Sequence, residues 1–126
     1  MEDFNPSPSK REITSEEDVK ELVLAFYEEV RKDELIGPHF AHLHWDEHLP
    51  KMIQFWSFVL LDKPGYTTQV YEKHQHMRLD AAHFDRWVEL WTAAVHSRFQ
   101  GALAEAAIQR ARLLGWTFSE KMKTGR

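Results

Sequence analysis

Apolar residues recur along this chain at helical spacing, and over no useful length do they alternate with polar ones. Alternation marks a half-buried strand and a 3.6-residue period marks an amphipathic helix, so the pattern restricts the chain to an all-α fold. Thr14 and Ser15 precede the acidic turn Glu16–Asp18 and read as an N-cap. Val19, Leu22, Val23, Phe26 and Val30 then carry a helix to about Asp33, with Gly37-Pro38 as its stop. The stretch His39–Trp45 has no period and reads as a loop or short helical turn. A second helix covers about Asp46–Leu60, Pro50 being tolerated near its first turn. A loop with Pro64-Gly65 leads into a short helix near Val70–His76 and an irregular link, Met77–Ala82. The third long helix spans about Ala82–Phe99, with Phe84, Trp87, Val88, Trp91, Ala94 and Val95 on one face. A fourth follows Gly101 to about Met122, with Ala104, Ala107, Ile108, Ala111 and Phe118 in register.

The second helix is the unusual one. Met52, Phe55, Trp56 and Val59 mark one side, and Leu49, Ile53 and Leu60 mark another. A helix apolar on two sides is buried on two sides, by other helices or by something else flat and apolar. Residues 1–12, with Pro6 and Pro8, read as a flexible N-terminal arm, and 13–126 as a single domain without internal repeats.

Composition removes several function classes. A net charge of −4 speaks against nucleic-acid binding, which needs a basic surface to displace counterions. There is no cysteine, which excludes disulfides, thiolate zinc sites and covalently attached or thiolate-bound haem. The longest apolar run, Phe55–Leu61, is far too short to span a membrane, and the start of the chain carries no signal-peptide pattern. A cytoplasmic location fits these features. No glycine-rich phosphate loop, nucleophile triad or carboxylate pair appears.

The chemistry therefore has to come from polar groups set into apolar faces, namely Tyr27, His48, His74 and Trp87. A buried phenol or indole needs a hydrogen-bond partner, and a buried imidazole is either hydrogen-bonded or a ligand. Taken singly, each is equally consistent with ordinary packing. His44 and His48 form an i, i+4 pair able to hold Zn2+ on a regular helix, but no carboxylate or cysteine completes that site. His39, His42 and His44 read as surface histidines.

Order and spacing give these residues a joint meaning. The stretch LVLAFYEEVRKD at 22–33 is followed by Leu35-Ile36-Gly37-Pro38 and Phe40, then His48-Leu49-Pro50-Lys51-Met52 and Phe55-Trp56-Ser57. His74 precedes His83-Phe84-Asp85-Arg86-Trp87 and Leu90-Trp91, and Ile108-Gln109-Arg110-Ala111 continues the series. Over about residues 13–122 the chain thereby resembles the truncated haemoglobins, specifically their third group.

That resemblance implies a two-over-two helical sandwich around haem b, with a penta-coordinate iron held by His74 on the short helix. His76, two residues on and about 200° around a helix, is the rival ligand. Phe40 matches the phenylalanine that packs on the haem ring. Met52, Phe55, Trp56 and Val88 are implied haem-pocket residues, with Trp91 a weaker one. Tyr27, His48 and Trp87 match the distal polar positions and face a diatomic ligand (O2, NO or CO) or a small anion such as cyanide. Lys51, Lys73 and Arg78 are the cations suited to the propionates. Several donors around O2 slow its release, which fits NO dioxygenase or peroxidase-like turnover, supplied by a separate electron donor, better than bulk oxygen transport. The alternative is a haem-free helical sensor or interaction domain on the same scaffold, in which the inner polar groups bond to one another. A His-rich metal-binding bundle is a third reading, and it requires the 39–48 histidines to cluster.

Overall fold

The computed structural model describes residues 10–40, 45–63 and 79–124, the side chains of 122–124 excepted. Among them there are five helices: α1 (Glu16–Lys32), α2 (Gly37–Phe40), α3 (Trp45–Leu61), α4 (Ala81–Arg98) and α5 (Ala102–Thr124). The short helix expected near Val70–His76 lies outside the described residues. Helix α1 packs along α3 and α4 along α5, and the two pairs meet through α1–α4 and α3–α5 contacts. The result is a two-over-two sandwich.

Local chemistry explains where the helices start and stop. Ser15 caps α1, its Oγ accepting from the Asp18 N–H at 3.4 Å, ahead of the acidic turn that suits a helix N-terminus. Helix α1 ends at Lys32 with Asp33 as its C-cap, where its spacing placed the end, and the stop is Asp33 itself rather than Gly37-Pro38. The Asp33 carboxylate accepts from the N–H groups of Leu35 (3.2 Å) and Ile36 (3.1 Å), which turns the chain at once. Gly37 instead opens α2, where a Cβ would lie 3.0 Å from the Val30 carbonyl oxygen, so the close approach demands glycine. Pro50 sits in the second turn of α3. It removes the N–H that the Asp46 carbonyl would receive, and exposure of Asp46 leaves that carbonyl to water. Asp62, at φ 58°, ends α3, with its N–H and that of Lys63 folded back on the carbonyls of Phe58 and Ser57.

Asp80 and His83 cap α4 reciprocally. The Asp80 carboxylate accepts from the N–H of Ala82 and of His83, and His83 Nδ1 accepts from the Asp80 N–H at 3.0 Å. The chain is fixed to the fold from Arg11 onward. The Arg11 carbonyl accepts from the Gln100 N–H at 3.0 Å, and its guanidinium lies 5.0 Å above the Phe99 ring while pairing with Asp18 and Glu21. The tie thus begins inside the segment expected to be a flexible arm.

The core runs between the helix pairs: Leu22, Val23 and Phe26 from α1, Trp56 and Leu60 from α3, Trp91 and Val95 from α4, Ala107, Ile108 and Ala111 from α5. Small alanines on α5 leave room for the rings. Trp91 is wholly buried, stacked on Trp56 (4.3 Å, 21°) and edge-on to Phe26 (5.2 Å, 80°). The two-sided character of α3 is divided differently from expectation. Its buried residues are Trp56, Ser57 and Leu60, so Trp56 shares the core face with Leu60, while Met52, Phe55 and Val59 are half-buried.

Candidate functional site

Successive residues of α1 serve opposite sides of the helix. Phe26 enters the core, whereas Tyr27 turns toward the start of α3 and is half-buried. Its ring lies 4.2 Å from that of Trp45, tilted by 40°. Trp45 in turn donates its indole N–H to the Phe40 carbonyl at 3.2 Å, has the Phe40 ring at 6.3 Å, and meets His48 edge-on at 5.1 Å. Three residues singled out in the sequence, Tyr27, Phe40 and His48, are thereby brought together. The residue that joins them, Trp45, was not singled out.

Trp87 is also half-buried and stands on α4 with its ring 6.1 Å from Phe26, edge to face. Its indole N–H has no acceptor among the described residues, and the Tyr27 hydroxyl makes no hydrogen bond among them. The contrast with Trp91 is sharp, since that indole donates to the Ala107 carbonyl at 3.1 Å. Neither group is a wholly buried unpartnered atom, which among the described residues only Ser57 Oγ is, so both donors stand open to water or a ligand.

The remaining expected residues divide. Met52 and Phe55 lie half-buried on α3 against the core, and Val88 fits into the α4–α5 contact, where a Cβ on Gly115 would come 2.9 Å from its Cγ2. Trp56 is not gathered with Tyr27, Phe40 and His48; it is 3% exposed and spends its face on Trp91. Lys51 is exposed. His74, its rival His76, Lys73, Arg78, His42 and His44 lie outside the described residues. His39 is half-buried rather than on the surface, its ring 4.5 Å from that of His83. Among the described residues no group of three or more histidines and carboxylates could hold a metal ion.

Charge fixes the neighbourhood of Trp87. Arg86 Nε donates to Asp33 Oδ1 at 2.7 Å, joining the end of α1 to α4, and its Nη1 reaches Glu89 at 3.0 Å. Burial pushes the Asp33 carboxyl up, but the Ile36 N–H, the Arg86 guanidinium and the Leu35 N–H together hold it below the ordinary carboxylate range. Asp18 follows the same balance: burial raises it, and the Thr14 N–H with Arg11 outweighs that.

No protein-family model matches the chain. A group 3 truncated haemoglobin from Campylobacter jejuni is 28% identical to it over 120 residues, covering 90% of this chain and 94% of that one. The crystal structure of a group III truncated haemoglobin from Campylobacter jejuni superposes with a TM-score of 0.81 and 27% identity, over 90% of this chain and 95% of the other. The chain shares the fold of that truncated haemoglobin.

Within that truncated-haemoglobin fold, two features escaped sequence reasoning. Trp45 closes the stretch His39–Trp45, which has no period, so nothing in the pattern marks it as inward. A signal was present all the same: counted from His48, it falls one turn earlier on the same face of α3. The Asp33–Arg86 pair joins residues 53 apart in sequence, and charge patterning within one helix has no access to it.

Proposed function

We propose that this chain binds haem b through His74, on a penta-coordinate iron, and takes O2 or another diatomic ligand beside Tyr27 and Trp87. One observation carries the reading. Tyr27 and Trp87, on different helices of a truncated-haemoglobin fold, hold donors that no described residue satisfies. A haem-free domain that had kept the scaffold would be expected to pair such groups internally, and among the described residues these two are not so paired.

Haem b, when bound, supplies an iron centre that takes a diatomic ligand and changes oxidation state. The chain's own residues supply selectivity. The Tyr27 O–H and Trp87 N–H point partial positive charge at a ligand that has gained negative charge, each worth about 1–3 kcal/mol as a charge-assisted bond. Phe40, Met52 and Phe55, half-buried against the core, would together with Val88 give the pocket an apolar wall that excludes water, with Trp56 behind it in the core. His48, edge-on to Trp45, borders the same place. Two donors slow ligand release, which favours turnover of nitric oxide or peroxide over oxygen delivery, with electrons from a separate donor. No helix among the described residues is long and apolar enough to cross a membrane.

The test is spectroscopic. Purified or reconstituted chain should show a Soret band that His74→Gly abolishes and His76→Ala preserves. A chain that takes up no haem on reconstitution ends the proposal. Retention of the band in His74→Gly, with loss in His76→Ala, moves the ligand to His76.

A further inference from the structure

We propose that Trp45 is the positioning residue of the ligand pocket: it sets the direction in which Tyr27 presents its hydroxyl. The inference rests on the haem reading above for its functional consequence, and on the described contacts for its geometry.

Tyr27 is half-buried, and its hydroxyl makes no hydrogen bond among the described residues. With no polar partner among the described residues to hold it, the phenol has several staggered rotamers open to it. What selects one is ring packing, and the aromatic partner of Tyr27 is Trp45, 4.2 Å away. An offset, tilted pair at that separation is attractive and orientation-dependent.

Packing against a mobile indole would fix nothing, but Trp45 is itself fixed. Its N–H is spent on the Phe40 carbonyl at 3.2 Å, which sets the indole plane relative to α2. His48, one turn along α3, closes the other side edge-on at 5.1 Å. The contact chain Phe40–Trp45–Tyr27 thus links three elements, α2, α3 and α1, at one point. The residue expected to pack on the haem ring and the residue expected to meet the ligand are coupled through one side chain. Trp87 lies outside this chain, since its aromatic neighbour is Phe26.

This arrangement separates positioning from simple obstruction. An indole that merely blocked ligand entry would, once removed, speed association and leave dissociation alone. An indole that aims Tyr27 would, once removed, release the bound ligand faster and leave association nearly unchanged.

The experiment uses the haem-loaded chain. Trp45→Leu removes the stack and the N–H while keeping apolar bulk, and Trp45→Phe keeps an aromatic ring but loses the anchor on Phe40. Oxygen dissociation should quicken about tenfold in Trp45→Leu, as in Tyr27→Phe, and about two- to threefold in Trp45→Phe. The double variant Trp45→Leu/Tyr27→Phe should match Tyr27→Phe alone, because the same hydrogen bond is lost once. Multiplying effects, or faster association with unchanged dissociation, overturn the proposal. Trp116→Leu, which removes an indole 65% exposed on α5, serves as a control with wild-type rates.

A second readout does not depend on ligand rates. The chain contains three tyrosines, so ring-labelled tyrosine spectra are simple, and Tyr27→Phe assigns the relevant signal. In CO-saturated reduced buffer, Tyr27 ring resonances should shift in Trp45→Leu and not in Trp116→Leu. If they stay in place, Trp45 does not position Tyr27. If wild type shows no Soret band, the haem reading fails, and the tyrosine spectra of the chain as purified still decide the role of Trp45.

Discussion

Trp87 and Trp91 stand one turn apart on the same side of α4, yet the fold treats them in opposite ways. Trp91 is fully buried, stacked on Trp56, edge-on to Phe26, and its N–H is satisfied by Ala107. Trp87 touches Phe26 from the other direction, stays half-buried and keeps an N–H that no described residue accepts. Identical side chains at equivalent helical positions therefore hold different assignments. One closes the sandwich; the other is proposed to line the ligand pocket. The same division runs across α1, where Phe26 serves the core and Tyr27 the proposed pocket, and across α3, where Trp56 serves the core and Trp45 packs on Tyr27. Each long helix of the first three contributes an aromatic to either side.

The largest effect that would break this comparison is on stability. Trp91→Ala should cost about 3–5 kcal/mol, the range for deleting a buried aromatic. Trp87→Phe keeps a ring against Phe26 and should cost less than about 1 kcal/mol. Urea unfolding measures both. Equal losses would mean that Trp87 is a core residue and that its free N–H is incidental.

Next in size is ligand release. With haem bound, Tyr27→Phe and Trp87→Phe should each accelerate oxygen dissociation roughly tenfold, at a cost of 1–2 kcal/mol of lost hydrogen bonding. Trp91→Phe should leave it within about twofold. Stopped-flow displacement by CO gives all three rates, and a Trp91 effect as large as the others would erase the distinction.

How much of this division could be read from the chain is instructive. The helices were legible because burial follows period: Val19, Leu22, Val23, Phe26 and Val30 are all buried, as their spacing requires. The juxtaposition of Tyr27, Phe40 and His48 around Trp45 was foreshadowed only in combination, through their order and the family it resembles. The resemblance implied Trp56 beside the haem, and the described contacts show it stacked on Trp91 in the core. Helical spacing reports which residues point inward, and α3 has two inward directions, so spacing cannot choose between them. The end of α1 lies at about Asp33, as its spacing requires, but Gly37-Pro38 is not what stops it. Gly and Pro are strong general stop signals, but a carboxylate able to take two backbone N–H groups stops a helix sooner.

The two sides also differ in what holds them. The core side is held by rings, and the pocket side, at the α1–α4 junction, by the Asp33–Arg86 pair. Asp33 titrates below the ordinary carboxylate range, despite burial, because of the Ile36 N–H, Arg86 and the Leu35 N–H. A depressed folded value means that its contribution is complete above the unfolded value, about 3.9, and is lost as pH falls through the folded one. The stability gap between wild type and Asp33→Asn should therefore be widest near neutrality and close as pH drops below about 3.9. Urea midpoints from pH 7 downward test this, and a gap independent of pH would remove the charged pair from the account. Asp18→Asn should behave alike at the other end of α1, where burial, the Thr14 N–H and Arg11 act in the same senses.

The smallest effect concerns how far the core side reaches into the pocket. Gly115 lets α5 approach α4 where Val88 follows Trp87, and a Cβ there would stand 2.9 Å from Val88 Cγ2. Gly115→Ala gains up to about 1 kcal/mol of helix propensity. Against that, valine is stiff at χ1 and cannot swing its methyl aside cheaply, so overpacking costs about 1–3 kcal/mol. The net should be a loss of about 1 kcal/mol in urea unfolding. In a Val88→Ala background the clashing methyl is gone, and the same substitution should become neutral or stabilising. Oxygen dissociation is the sharper measurement. If Val88 only relays packing, Gly115→Ala leaves the rate within about twofold. A change as large as that of Trp87→Phe would show that the α4–α5 contact sets the pose of Trp87, and that the two sides of α4 are not independent.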